Sequence, residues 1–170
     1  EMCGYLRMRS VLPGLPVDEA LRSCAEAVAL AETTGDARLR AESLFALGRG
    51  RALFGEPDDA LPPLAAALDY WEAEDPLRAA MTRNILGIAH VRRGDYPAAR
   101  AAFEEAARTF DTLGDPVSEG GALNNLAVLL VRLGAWDAAE TALTESLRLA
   151  RRLDAARRTL EPLQNLATPE

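Results

Sequence analysis

The sequence contains no lysine, and all 19 of its basic residues are arginine. Aromatic residues are only 5% of the chain. Runs of Val, Ile, Thr and aromatics are missing, so a sheet-based core has little to build on. There is one histidine, His90, and one imidazole alone does not make a metal site; no second His or carboxylate stands at ligand spacing from it on a helix. The two cysteines, Cys3 and Cys24, also lack metal-ligand spacing. No metal or other cofactor is therefore expected. As a general base, His90 would need a nucleophile beside it, and none is legible, so the chain is not expected to be an enzyme. Gly48, Gly50 and Gly55 lack the lysine and the preceding strand of a phosphate-binding loop. No apolar run approaches the roughly 18 residues that span a bilayer, and no signal peptide is visible. No membrane association is expected. Cys3 and Cys24 could pair as a disulfide, but nothing else points to secretion, and free thiols in a reducing cytoplasm are the expectation. The net charge of −7 is opposite to what displaces phosphate counterions, which argues against direct nucleic-acid binding.

What is abundant is alanine, about a fifth of 170 residues. Alanine is the best helix former because it loses no side-chain entropy on ordering. With 49% hydrophobic and 26% charged residues the balance is globular. The helical pattern already runs just after Glu1-Met2, which reads as an excerpt from a longer protein.

Three segments repeat. Leu44, Leu47 and Gly48 are followed by Gly55, Ala60, Leu64 and Ala67. Leu86 and Gly87 are followed by Gly94, Ala99, Phe103 and Ala106. Leu123, Leu126 and Ala127 are followed by Gly134, Ala139, Leu143 and Ser146. Each segment reads as two helices: apolar residues at three- and four-residue steps, a left-handed glycine stop at Gly55, Gly94 or Gly134, a short turn, and a second helix through Ala60, Ala99 or Ala139. The junctions recur as Gly35-Asp36, Asp75-Pro76, Gly114-Asp115-Pro116 and Leu153-Asp154. Asp is a strong N-cap, and Pro after it suits the first helical position. The expected units are 36–74, 75–114 and 115–153, flanked by partial units 1–35 and 154–170. In the first flank, residues before Pro13 would be a first helix and 17–33 a second. In the last, Asp154 would start a further first helix ending Asn165-Leu166-Ala167, like Asn125-Leu126-Ala127. The fold class is all-α, with about nine helices in one antiparallel stack and no separate domain.

These residues resemble the tetratricopeptide repeat pattern over nearly the whole chain, as a right-handed superhelical solenoid of antiparallel helix pairs. The departures are Arg83 at the usual first large position, Arg51, His90 and Leu130 where an aromatic is usual, and a period near 40 rather than 34. The longer period and the Ala122–Ala127 string resemble units in kinesin light chains and in large bacterial regulators of LuxR or SARP type with a signalling ATPase module. The arginine-only, alanine-rich composition is similar to the bacterial group.

The resemblance implies a concave face lined by the first helices: Glu42, Phe45, Arg49 and Leu53; Met81, Asn84, Ile88 and Arg92; Gly121, Asn124, Val128 and Arg132; then Glu161 and Gln164. It implies a protein or peptide ligand there. Asn84 and Asn124 would hold a peptide main chain, because an amide both donates and accepts. Arg49, Arg92 and Arg132 would hold carboxylates. The alternative is that these are ordinary solvated surface residues. Without lysine, the carboxylate clamp of the chaperone-binding subclass has weak support. Tyr96 and Trp136, at matching positions, are expected to pack over the preceding turn rather than anchor a partner. Tyr70 and Trp71 are expected to pack between units. Gly120-Gly121 would open the groove or admit a neighbouring helix. The functions that remain are a protein-interaction or sensing region of a larger cytoplasmic bacterial regulator, a self-associating module working through the solenoid ends, and a small-molecule effector domain.

Overall fold

The computed structural model describes the backbone of residues 17–166 and the side chains of residues 17–154. Among the described residues the chain is all-helical, with seven helices: α1 (Val17–Thr34), α2 (Ala37–Phe54), α3 (Pro57–Glu74), α4 (Pro76–Arg93), α5 (Tyr96–Leu113), α6 (Pro116–Arg132) and α7 (Trp136–Leu166). Each packs against the next in chain order. In addition α2 touches α4 and α4 touches α6, whereas α3 does not touch α5 and α5 does not touch α7. Helices that meet their second neighbours lie on the inside of a curve. The array is thus a helical solenoid, with α2, α4 and α6 on the inner wall.

The starts of these helices follow from short-range chemistry. The carboxylates of Asp36, Asp75 and Asp115 accept hydrogen bonds from the amides of Leu39, Arg78 and Ser118 at 3.0, 3.1 and 3.1 Å. Asp95 does the same for α5, from Ala98 at 3.3 Å. Two of the three expected glycine stops are left-handed, Gly94 at φ 87° and Gly134 at φ 73°. Gly55 is not: its φ is −102°. α2 ends extended instead, and a side chain from α4 satisfies its carbonyls, as described below.

The C-terminal part differs from the expectation of about nine helices. No helix begins at Asp154; α7 runs unbroken through Leu153-Asp154 to Leu166. The physical reason is legible. The junctions at Asp75 and Asp115 have proline behind them, and those at Asp36 and Asp115 have glycine before them, while Leu153-Asp154-Ala155 has neither. An aspartate alone favours a helix start but does not stop a helix already formed. The first helix expected before Pro13 lies outside the described residues.

Packing within each pair turns on one close approach. A Cβ on Gly48 would stand 2.5 Å from Leu64 Cγ, and one on Gly87 would stand 2.4 Å from the Phe103 ring. The large residue of the second helix fills the space that the glycine leaves. Leu64 and Phe103 are accordingly 0% and 1% exposed. Ala60, Ala99 and Ala139 are buried beside them. Trp71, on α3, is buried against Ala41 and Leu44 of α2 and Ala79 of α4, and so sits between pairs. Tyr70 meets its ring edge-on at a centroid distance of 4.9 Å. The equivalent residue on α5, Phe110, is packed with Ala80 of α4 and Ala122 of α6.

α3 carries Pro62 and Pro63 in its interior. Pro63 has no N–H to give the Asp59 carbonyl one turn back. Arg51 of α2 supplies the missing donor, with Nη1 at 3.1 Å from that oxygen. This accounts for an arginine where the repeat pattern has an aromatic.

Two glycines separate overpacking from propensity. Gly87→Ala is expected to lower stability by about 1–2 kcal/mol, since overpacking costs about 1–3 and helix propensity returns up to about 1. Gly121, helical and with nothing within 4 Å of an added Cβ, behaves oppositely: Gly121→Ala is expected to gain about 0.5–1 kcal/mol. Thermal melts of the two variants should move in opposite directions, by about 3 °C per kcal/mol.

Candidate functional site

The inner helices present their side chains in rows, one residue from each of α2, α4 and α6. Phe45, Asn84 and Asn124 form one complete row along a hollow of about 190 Å³. Arg49 with Ile88, and Met81 with Gly121, contribute from the neighbouring rows, and Leu53 closes the α2 side. Six of the nine expected groove residues therefore meet around one space: Phe45, Arg49, Met81, Asn84, Ile88 and Asn124.

The other three do not. Val128 and Arg132 are exposed on α6, outside the hollow. Arg92 turns to the end of α2, where its Nη1 donates to the carbonyls of Ala52 at 2.7 Å and Arg51 at 3.3 Å. The Arg51 carbonyl also takes the Gly55 N–H at 2.9 Å, so Ala52 is the helix-end carbonyl for which Arg92 supplies the donor. Arg92 thus does for α2 what a left-handed Gly55 would have done. Glu42 likewise faces Arg38 and Arg78, at 3.4 and 3.6 Å, rather than the hollow. The side chains of Glu161 and Gln164 lie outside the described residues.

Several lining residues escaped the repeat alignment: Ile85, Phe110, Val117, Ser118 and Asn125. Phe110 comes from an outer helix and is 1% exposed; only a register of α5 against α4 and α6 could have placed it there. Asn125 was legible as a residue type but not as a partner. Its Nδ2 donates to Asn84 Oδ1 at 3.1 Å, across α4 and α6. The bond engages the acceptor end of the Asn84 amide and does not use its two N–H donors, and both asparagines line the hollow. Asn124 is exposed at the rim.

The surroundings are mainly apolar with one cation. The Arg49 guanidinium lies over the Phe45 ring, 5.6 Å from its centroid. Phe45 is itself buried, a core residue with one face on the hollow. Gly121 adds room, since its missing side chain is part of the empty space. Gly120 serves the neighbour instead: its carbonyl accepts from Ser146 Oγ of α7 at 2.9 Å.

The remaining candidates fall away from the hollow. Tyr96 is half-buried against the Phe103 cluster, but Trp136 is 65% exposed and does not pack down as expected. Cys24 is half-buried, and burial pushes its thiol pKa up against an opposing effect of Arg49. Cys3 lies outside the described residues. His90 Nδ1 is buried without a hydrogen-bond partner, 3.7 Å from Asp95 Oδ2. Burial lowers its pKa below 6.5; Asp95 opposes this and Arg93 reinforces it. Among the described residues no three His, Cys, Asp or Glu side chains are grouped to hold a metal ion. No described helix is long and apolar enough to cross a membrane.

A tetratricopeptide repeat family model matches residues 45–113 and again 86–152, together more than half of the chain. The chain belongs to the tetratricopeptide repeat family. Repeats of this family generally act as scaffolds for protein–protein interaction. No curated protein matches the sequence. Among solved structures, the crystal structure of BtubC (BKLC) from P. vanneervenii is similar, with a TM-score of 0.68 and 21% identity over 83% of this chain and 59% of that one. The present chain thus spans little more than half of that neighbour's length, and the likeness is one of fold.

Arg92→Ala is expected to cost about 1 kcal/mol in a thermal melt, the loss of a charge-assisted bond at a partly exposed helix end. For His90, the fold disfavours the imidazolium, so the unfolded chain takes up the proton first as pH falls. Its contribution is full above about pH 6.5 and is lost as pH drops from there toward the lower folded value. Unfolding free energies between pH 7 and 5 should therefore decline more in the native sequence than in His90→Gln. Equal slopes would exclude a role for this burial.

Proposed function

We propose that this chain is a non-catalytic scaffold that holds an extended peptide segment of a protein partner against α2, α4 and α6. The observation that carries it is the hollow itself: an apolar floor from Phe45, Ile88 and Phe110, with side-chain amides on one side and the Arg49 guanidinium at another. A cavity of 150 Å³ holds a benzene-sized group, whereas drug-sized ligands occupy pockets of roughly 300–1,000 Å³. At about 190 Å³ the hollow suits one large apolar side chain of a peptide better than a free effector molecule. The Asn84 donors then meet main-chain carbonyls, and Arg49 meets an acidic side chain or a C-terminus. Arg92 and Arg132 have no part in this contact. In the parent protein this array is the interaction or sensing region of a larger cytoplasmic bacterial regulator. The composition and the repeat type support that context.

Peptides selected on the chain from a random display library test this directly. They are expected to share one large apolar residue beside an acidic one. Gly121→Met, whose Cβ would meet nothing within 4 Å, should place a side chain in the hollow and weaken their binding at least tenfold without lowering the melting temperature. Asn84→Ala with Asn124→Ala should weaken it about 2- to 10-fold per lost bond. Peptides that bind the Gly121→Met chain as well as the native one would discard the groove.

A further inference from the structure

A second apolar surface lies on α7, away from the hollow. Val131 of α6 and Trp136, Ala139, Glu140, Leu143 and Leu147 of α7 line a shallow groove. Trp136, Leu143 and Leu147 are 65%, 43% and 50% exposed. Large apolar side chains that are open and contiguous mark a contact surface. At 3.6 residues per turn, Trp136, Glu140, Leu143, Leu147 and Arg151 fall in one stripe along the helix. One pair earlier, the equivalent face of α5 is covered by Leu126 and Leu130 of α6, an antiparallel helix. The surface is therefore shaped to take a helix that runs against α7.

The charges on α7 say which helix. From Trp136 to Ser146 there are three acids, Asp137, Glu140 and Glu145, and no base. From Leu147 to Leu153 there are Arg148, Arg151 and Arg152, and no acid. The helix dipole does not account for these arginines, because it acts within the last turn and α7 continues to Leu166. Glu145 and Arg148 pair with each other. Glu140 and Arg151, both exposed, have no ion pair among the described residues. The fitting occupant is apolar at its middle, basic where α7 is acidic and acidic where α7 is basic. Laid in the opposite direction, α7 of a second copy has that pattern. We propose that two copies of this chain pair through α7, antiparallel about a two-fold axis level with residue 145. Leu143 of each copy then meets Leu147 of the other, and Glu140 of each meets Arg151 of the other. The two Trp136 rings cover the ends of the contact. A parallel pair would set acid against acid and arginine against arginine, so the same charges fix the direction. The hollow on α2, α4 and α6 takes no part in this contact.

Sedimentation velocity of the full chain, reduced and at low salt, reads the pairing. A contact this small belongs to the weak, transient class, so a dissociation constant on the order of 100 µM is expected. Glu140→Arg and Arg151→Glu, each alone, set like charges opposite one another at both edges and should weaken pairing by about fivefold or more. Mixed in equal amounts, the two variants again face each other with opposite charges at both edges, and the mixture should recover the native dimer. Leu147→Asn, with helicity checked by circular dichroism, should leave only monomer. A native chain that stays monomeric up to about 500 µM, several times that dissociation constant, overturns the proposal. So does a dimer indifferent to Leu147→Asn or to the single charge reversals, which would place the contact elsewhere. A mixture that remains monomeric rules out the antiparallel alignment and overturns it as well.

Discussion

Where α2 crosses α3, and where α4 crosses α5, the inner helix has no side chain because the outer helix has put a large one in its place. Leu64 and Phe103 stand 2.5 and 2.4 Å from where Cβ atoms of Gly48 and Gly87 would be. No relaxed structure holds atoms that close, so the axes can be this near only with glycine at those points. The rest of the solenoid inherits its geometry from that contact. The pairs so closed stack with α2 against α4 and α4 against α6, while α3 and α5, and α5 and α7, do not meet. In the third pair, Ala127 takes the glycine's place, and its counterpart Leu143 remains 43% exposed. That pair is joined without the glycine approach, through the buried Ala127, Ala139 and Ala142.

Backbone groups left over by this arrangement fall to arginine. Pro63 strands the Asp59 carbonyl, and Arg51 reaches it. At the end of α2 Gly55 gives its N–H to the Arg51 carbonyl, and Arg92 of the next unit reaches the Ala52 carbonyl beside it. Arg49 and Arg78 lie over Phe45 and Trp71. A flat guanidinium with several fixed donors both stacks and bonds, whereas an ammonium on a flexible stem does neither as well. The absence of lysine, whatever its origin, is compatible with a fold in which cations span neighbouring helices.

The fold class and helix starts were legible because they rest on local chemistry: an aspartate and the amides within three residues of it, or a glycine and the large residue 16 positions on. The end of α2 was not, because Gly55 has the right identity and the wrong dihedral, and the compensation comes from Arg92, 40 residues away. The continuity of α7 was misjudged because an N-cap residue was given the force of a stop signal. The hollow was half legible. Repeat equivalence placed Phe45, Asn84 and Asn124 in one row, since such a row depends only on helix register. It could not show that Asn84 bonds to Asn125 rather than matching Asn124, nor that Phe110 rises from an outer helix. Those facts belong to the packing of three helices at once. Trp136 shows the limit of equivalence: its counterpart Tyr96 packs under Leu126 and Leu130 of the following unit, whereas Trp136, with no such pair over it among the described residues, is 65% exposed.

α6 is the wall common to both surfaces. Val117, Gly121, Asn124 and Asn125 give it one face on the hollow, and Val131 gives its end to the distal groove. Between them Leu126, Leu129 and Leu130 are buried against the preceding pair. In an array where each unit contacts only its neighbours, stability is a sum of local terms, and ends are weaker than the middle. Under the proposed function, a segment bound across α2, α4 and α6 would add a tie between units already joined through the buried Trp71 and Phe110, and by mass action it would stabilise the arrangement that positions α6. The Asn84–Asn125 bond ties α4 to α6 beside the hollow, and the Gly120–Ser146 bond ties α6 to α7, so α6 is held from both sides by bonds between helices as well as by packing.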